Sequence, residues 1–302
     1  MSPRNSVDVV VNAHSGFQNV DEVRARLEEL FAQADLVVKL HVARSIKQLE
    51  ELIHRAVNSH SKVIAVGGGD GTISTVASAI IESGREKTLA VLPLGTLNHF
   101  AQDLRVPLDL EAAVKLIAEA HEEFIDVAEV NGRIFINNSS LGLYPQIVRE
   151  RLKQQRLGHG KWPAFAWAAL SVFRRQPFVE VRLIGGGKSL FCNTPFVFIG
   201  NNEYAMEGFK IGMRDRLNAG VISLYVTRRI GRWGLVRLAL RALLGHLAYE
   251  KDFEAFTTDH ITIQSRRPRM RVAFDGEIGV LETPLHYRIR KQALRVIVPR
   301  PQ

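Results

Sequence analysis

The segment KVIAVGGGDGTISTVASAI, Lys62 to Ile80, decides how the chain is read. A short β-branched run, Lys62 to Val66, feeds straight into three glycines. A helical pattern, Ile73 to Ser83, follows at once. In a parallel sheet such a strand–glycine–helix junction lies at the carboxyl edge, where α/β proteins bind their ligands. Glycines let an anion approach backbone N–H groups, and the helix N-terminus adds a favourable dipole. Asp70 sits in the middle of GGGDGT, Gly67 to Thr72. A carboxylate beside phosphates repels them unless a cation intervenes, so the pattern implies Mg²⁺. Read alone, the same six residues also suit a tight turn with Asp70 capping a helix.

Working outward, the first 130 residues alternate between strand and helix. Val7 to Val11, Leu36 to Val42 and Thr88 to Leu92 read as strands. Val20 to Gln33, Ile46 to Asn58 and Leu110 to Ala120 carry apolar residues at helical spacing. This alternation predicts a parallel sheet covered by helices. Beyond about residue 124 the rhythm changes. Asn131-Gly132 is a strong hairpin signal, and short strands follow at Phe178–Ile184, Ser189–Asn193, Phe196–Ile199, Val221–Thr227, His260–Gln264, Met270–Phe274 and Leu285–Ile289. Such a density of strands predicts an antiparallel sandwich or barrel. Two helical stretches interrupt it, Gln146 to Phe173 and Trp233 to Tyr249. The expectation is an α/β domain, residues 1–126 with 290–302, and a β-sandwich domain, residues 127–289, with a ligand cleft between them.

Three further segments carry chemistry. PLGTLNHFA, Pro93 to Ala101, follows another short strand; Gly95-Thr96 suits a second anion-binding turn while Asn98 and His99 bring polar groups to the same edge, or the segment is an ordinary loop with a capping Thr. NAHSG, Asn12 to Gly16, follows the first strand and either offers Ser15 and Gly16 to a nucleotide phosphate or is simply a strand-to-helix turn. DGE, Asp275 to Glu277, places two carboxylates around a glycine at a strand end, where they suit a general base and a metal ligand, or simply a hairpin turn. A decoy is GGGKS, Gly185 to Ser189. It resembles the end of a phosphate-binding Walker loop, but position 182 is Arg182 and the segment lies between strands, so it reads as a hairpin turn.

Composition narrows the classes. A formal charge of +9 favours an anionic partner. Nucleic acid ranks last among these, because no recognition motif accompanies the charge. A single cysteine, Cys192, excludes an internal disulfide and any zinc site built on several cysteines. It reads as a small buried hydrophobe in a strand. The N-terminal residues lack an apolar leader, and no stretch of about 18 uncharged apolar residues predicts a transmembrane helix.

The four segments, in this order, resemble the catalytic domain of the diacylglycerol kinase family, which includes soluble bacterial lipid kinases and is related to ceramide and sphingosine kinases. The resemblance runs from Val9 to the closing ALRVIVPR, Ala293 to Arg300. It implies a nucleotide-binding α/β domain like those of NAD and diacylglycerol kinases, then a β-sandwich whose last strand returns to the first domain. It implies ATP and Mg²⁺ as cofactors and a lipid such as diacylglycerol as the hydroxyl acceptor. By the same resemblance Asn12, Ser15 and Gly16 form the first nucleotide loop. Gly68, Gly69, Asp70, Gly71 and Thr72 lie under the phosphates, with Asp70 in the metal network, and Gly95, Thr96 and Asn98 form the second loop. Asp275 and Glu277 stand at the lipid hydroxyl, one of them as base.

The chain departs from the family twice. His99 stands where many members have Asp, and His is a poor ligand for Mg²⁺, which leaves Asp70 with water or brings in Asp103. Ala219-Gly220 stands where members have Asp-Gly, so a structural magnesium is not expected there, and Asp215 is the one displaced candidate. Two basic, aromatic or aliphatic stretches, Gly160 to Arg175 and Arg228 to Leu247, suit helices lying in a membrane interface, or equally helices packed on the sandwich. The expected setting is a cytoplasmic protein that visits the membrane peripherally; a homodimer is compatible with it. Two other readings on the same scaffold are a kinase of a soluble hydroxyl compound and a non-catalytic nucleotide sensor.

Overall fold

In the computed structural model, the described residues are 6–13, 20–142, 178–204, 206–207, 210–211, 213–227 and 253–300. The two helical stretches expected after residue 146 and after residue 233 lie outside them. The chain forms two compact units, Met1–Val127 with Lys291–Gln302, and Ala128–Arg290.

The first unit is α/β. Its elements are β1 (Ser6–Asn12), α1 (Val20–Gln33), β2 (Val37–Ala43), α2 (Ile46–Asn58), β3 (Val63–Gly67), α3 (Asp70–Ser83), β4 (Thr88–Leu92), α4 (His99–Asp103) and α5 (Leu110–Glu119). β5 (Glu122–Val130) then carries the chain into the second unit. Strand order is β2-β1-β3-β4, and every one of these pairs is parallel. All five residues of β3 and of β4 are buried, as expected for inner strands of a parallel sheet covered on both faces. β2, at the edge, is only partly covered.

Local chemistry sets the helix ends. Ser45 caps α2, its hydroxyl accepting from the Gln48 N–H at 3.2 Å. Leu49, Leu52, Ile53, Ala56 and Val57 form the buried stripe of α2. Asp109 caps α5 through the Ala112 N–H at 2.9 Å. α3 stops at Gly84, whose φ of 64° places it in the left-handed region that glycine tolerates best.

The second unit is β-rich. It comprises β6 (Arg133–Phe135), β7 (Asn138–Gly142), β8 (Val179–Gly185), β9 (Lys188–Thr194), β10 (Phe196–Asn201), β11 (Met206–Glu207), β12 (Lys210–Ile211), β13 (Ile222–Thr227), β14 (Phe253–Thr258), β15 (His260–Gln264), β16 (Arg269–Phe274), β17 (Glu277–Glu282) and β18 (Leu285–Ile297). One sheet has the order β14-β13-β10-β7-β16-β17, and each of these pairs is antiparallel. Against it stand β9, β8, β15 and the first residues of β18, also antiparallel. Val181, Leu183, Ile261, Ile263 and Tyr287 from this second layer share one core with Leu141, Ile199, Leu224 and Val272 from the first. That is a sandwich, as expected. Cys192 is buried in the same core.

β18 changes partner along its length. Leu285 to Arg288 pair with β15, whereas Arg295 and Val296 run parallel to Thr88 and Leu89 of β4. Between the two stretches lies Gln292, with φ of 49°, whose N–H donates to Asp126 at 2.9 Å. The GGGKS segment is a hairpin turn between β8 and β9, with Gly186 and Gly187 both at positive φ. The Asn131-Gly132 hairpin forms as well, with φ of 47° and 83°.

Candidate functional site

In the first unit, β1, β3 and β4 are in register, so their carboxyl ends fall together. Val11 is opposite Gly67, and Gly67 is opposite Leu92. The three loops that leave these ends are those singled out by sequence. Asn12 closes β1, and its side-chain amide donates to the Thr72 hydroxyl at 2.9 Å, tying the end of β1 to the GGGDGT segment. Thr72 itself is buried at the start of α3.

Gly69 stands before the first turn of α3 with no side chain to cap it. The first N–H groups of a helix have no intrahelical partner, the arrangement that receives anions; here the Thr72 N–H already donates to the Gly69 carbonyl at 2.9 Å, which leaves those of Asp70 and Gly71. A Cβ on Gly69 would meet nothing within 4 Å, whereas one on Gly68 would press on the Thr72 side chain at 2.9 Å.

Asp70 does something the sequence did not announce. Its carboxylate accepts from the backbone N–H of Phe100 at 2.9 Å and, at a longer 3.4 Å, from that of His99. It thus pins the start of α4 to the start of α3. Gly95 shows the same closeness of the two loops, since a Cβ there would lie 2.8 Å from the Gly69 Cα and 2.9 Å from the Gly68 carbonyl oxygen. The Asn98 side chain closes its own loop. It accepts from the Gly95 N–H at 2.9 Å and donates to the Pro93 carbonyl at 3.2 Å, with its backbone at φ of 51°. Thr96 and His99 are exposed at this edge. Ser15 and Gly16 lie outside the described residues.

Asp70 retains lone pairs beyond those its N–H donors use, the longer contact leaving Oδ2 lightly engaged. Magnesium is commonly held by one or two carboxylates together with phosphate oxygens and water. One carboxylate beside an anion-receiving edge fits that habit. Among the described residues no group of three or more His, Cys, Asp or Glu could hold a metal by itself. Asp103 ends α4 half-buried, and Asp215 is exposed.

In the second unit, Asp275 and Gly276 form the turn between β16 and β17, at φ of 48° and 84°. The Asp275 carboxylate accepts three backbone N–H groups, from Ile136 and Asn137 at 2.8 Å and from Asn138 at 3.1 Å. Its own N–H donates to the Asn138 carbonyl at 2.9 Å. Glu277, two residues on, begins β17 and is exposed, and among the described residues its side chain forms no hydrogen bond or ion pair. The two acids of the DGE segment therefore differ sharply: one is bound into the fold, and the side chain of the other is unbonded among the described residues.

Sequence reasoning missed two groups. One is the Ile136–Asn138 bend that Asp275 holds. The other is Arg214, buried with only 3% of its surface exposed and bonded to that bend. The sole sequence trace is a pair of adjacent asparagines at each place, Asn137-Asn138 and Asn201-Asn202, beside apolar strands.

Comparison with known proteins agrees with this arrangement. Residues 6–130 match the family described as the diacylglycerol kinase catalytic domain, and residues 144–298 match the YegS C-terminal NAD kinase beta sandwich-like domain. A diacylglycerol kinase of Staphylococcus carnosus is 26% identical over 249 residues, covering 82% of this chain and 79% of that protein. One of Staphylococcus epidermidis is 26% identical over 248 residues, covering 82% and 77%. A crystal structure described as a diacylglycerol kinase from Bacillus anthracis superposes with a TM-score of 0.73 over 99% of both chains at 19% identity, a likeness of fold. Over residues 6–130 the chain belongs to the diacylglycerol kinase catalytic-domain family, phosphotransferases with an alcohol group as acceptor, and over residues 144–298 to the YegS C-terminal NAD kinase beta sandwich-like family.

Proposed function

We propose that this chain transfers the γ-phosphoryl group of ATP, with Mg²⁺, to the hydroxyl of a membrane lipid of the diacylglycerol class. The observation that carries the reading is the knot at the carboxyl edge of the parallel sheet. Asn12 is bonded to Thr72, and Asp70 to Phe100, so three loops present one edge of backbone N–H groups and glycines. Such an edge suits a polyphosphate, whose oxygens need several donors at close range.

Roles follow from what each residue is free to do. The N–H groups of Gly69 to Gly71 and the exposed Thr96 hydroxyl orient phosphate oxygens. Asp70 has two tasks, holding the second loop in place and carrying the cation. Mg²⁺, when bound, offsets the charge of the phosphate oxygens. Of the two acids in the second unit, Glu277 is the base. It accepts the proton of the lipid hydroxyl as that oxygen bonds to the γ-phosphorus and the bond to the β-bridging oxygen breaks, releasing ADP. Asp275 cannot share this task equally, because three N–H donors already occupy its oxygens. The net charge of +9 favours residence at an anionic membrane surface. Among the described residues no helix is long and apolar enough to cross one.

The test is incubation of the pure protein with γ-labelled ATP, Mg²⁺ and vesicles containing diacylglycerol, a monoacylglycerol, ceramide or sphingosine. A parallel arm offers soluble hydroxyl compounds without vesicles. Label in the diacylglycerol fraction is expected. Label only in a soluble acceptor, or nucleotide binding with no transfer, overturns the lipid assignment.

A further inference from the structure

The peptide unit joining Ile136 to Asn137 lies between two charged side chains. Its carbonyl oxygen accepts from Arg214 Nη1 at 2.6 Å, and its N–H donates to Asp275 Oδ1 at 2.8 Å. A cation at the oxygen end and an anion at the hydrogen end both favour the same peptide dipole. Bonds in such a series strengthen one another. Arg214 also reaches the Asn137 side-chain oxygen with Nη2 at 2.8 Å and the Asn201 carbonyl with Nη1 at 3.0 Å. Its guanidinium carbon stands 5.3 Å from the centre of the Tyr204 ring. Burying this charge is expensive unless it is held by good hydrogen bonds, and the fixed fork of arginine meets that condition where a lysine would not.

We infer that Arg214 is a positioning residue for catalysis, acting through the Ile136–Asn137 peptide on Asp275 and thereby on Glu277. The inference rests on the assignment of Glu277 as base, and it adds to that assignment what holds the base in place. The links are short. Arg214 and the Asn201 amide fix the carbonyl of the bend, the latter at 2.8 Å. The bend presents three N–H groups to Asp275. Asp275 shapes the positive-φ turn from which Glu277 emerges at the head of β17. A prop that only supported the fold would not need to meet the same peptide from the side opposite Asp275.

The experiment compares Arg214→Met, Arg214→Lys, Asp275→Asn and the double variant Arg214→Met/Asp275→Asn in the vesicle assay, with thermal unfolding of each. The expected result for Arg214→Met is a kcat at least tenfold lower with an unchanged KM for ATP. Arg214→Lys should recover part of that loss. The double variant should lose no more than the worse single variant, because both act through one peptide. Losses that multiply, or a wild-type kcat in Arg214→Met, would overturn the inference. If Arg214→Met does not fold, the kcat of Arg214→Lys decides in its place: a fall with the ATP KM unchanged supports the inference, and a wild-type value overturns it. If the wild-type protein phosphorylates nothing, the proposed function fails on its own. The amide proton of Asn137 then decides by nuclear magnetic resonance, in Arg214→Lys if need be: a large shift relative to wild type supports the link, and an unmoved resonance refutes it.

Discussion

The carboxylate of Asp70, the first residue of α3, accepts the backbone N–H of Phe100, the second residue of α4, at 2.9 Å. One acid from the first glycine loop therefore caps the short helix that follows the second. This relationship ties together two loops whose bonded residues are 30 apart in sequence, and gives Asp70 a capping bond beside the metal-carrying role proposed for it.

Substitution should separate the capping bond of Asp70 from the metal role proposed for it. Asp70→Asn keeps an oxygen for the Phe100 N–H but removes the charge. Its unfolding temperature should stay close to wild type while kcat falls about 100-fold. Asp70→Ala removes both, and adds a loss of about 1 kcal/mol in stability. Equal activity in Asp70→Asn and wild type would leave Asp70 as a cap alone.

Two glycines should answer oppositely. Gly95→Ala drives a methyl into the Gly69 and Gly68 backbone, at 2.8 and 2.9 Å, so it should destabilise by about 1–3 kcal/mol and loosen both loops. Gly69→Ala meets open space, so it should unfold like wild type and yet raise the KM for ATP severalfold. Unfolding curves paired with nucleotide titrations distinguish the two. An unchanged ATP affinity in Gly69→Ala would remove the phosphate from that turn.

The two acids of DGE should divide into structural and chemical losses. Asp275→Asn turns an amide toward N–H groups that need an acceptor, and should cost about 1–3 kcal/mol. Glu277→Gln should stay within about 0.5 kcal/mol of wild type, as an exposed residue does. Its kcat should fall about 100- to 10,000-fold, the range for loss of a general base. Wild-type turnover in Glu277→Gln would return the base assignment to Asp275.

A buried acid elsewhere sets an acid limit on stability. Asp8, in β1, is buried, which raises its proton affinity. Hydrogen bonds from Ser59 and His41, together with the His41 charge, outweigh that and hold it below its ordinary value of 3.8. Because the folded-state value is depressed, its contribution is complete above the unfolded-state value and is lost as pH falls through the folded one. Unfolding temperatures of wild type and Asp8→Asn should therefore converge as the pH drops below about 4. A gap that stays constant down to pH 3 would contradict this.

Cys192 should be nearly inert. Burial in the sandwich core pushes its thiol up to about 11. A thiol reagent at pH 8 should label it slowly in the native protein and rapidly after unfolding. Fast labelling of the folded protein would place Cys192 outside the core.

How much of this could be read from residues alone depended on the range of the interaction. Asn131-Gly132 forms its hairpin because the turn requires two adjacent residues of positive φ, a local demand. The stripe from Leu49 to Val57 makes α2 for the same kind of reason, since 3.6-residue spacing needs only a neighbour to pack against. Gly67 to Thr72 was likewise recognisable, because strand, glycines and helix are contiguous. β14 and β17 carry no such local mark: Phe253–Thr258 and Glu277–Glu282 become strands by pairing with β13 and β16.

The order of residues was thus enough to establish the α/β unit, the sandwich and the family of chemistry, because periodicity and turn signals act over a few positions. It could not say that Asp70 would be spent partly on Phe100, that Asp275 would be enclosed by the Ile136–Asn138 bend while Glu277 stays exposed, or that Arg214 would lie buried against that bend. Those outcomes belong to hydrogen bonds between residues as many as 139 apart, whose partners become neighbours only when the chain has folded.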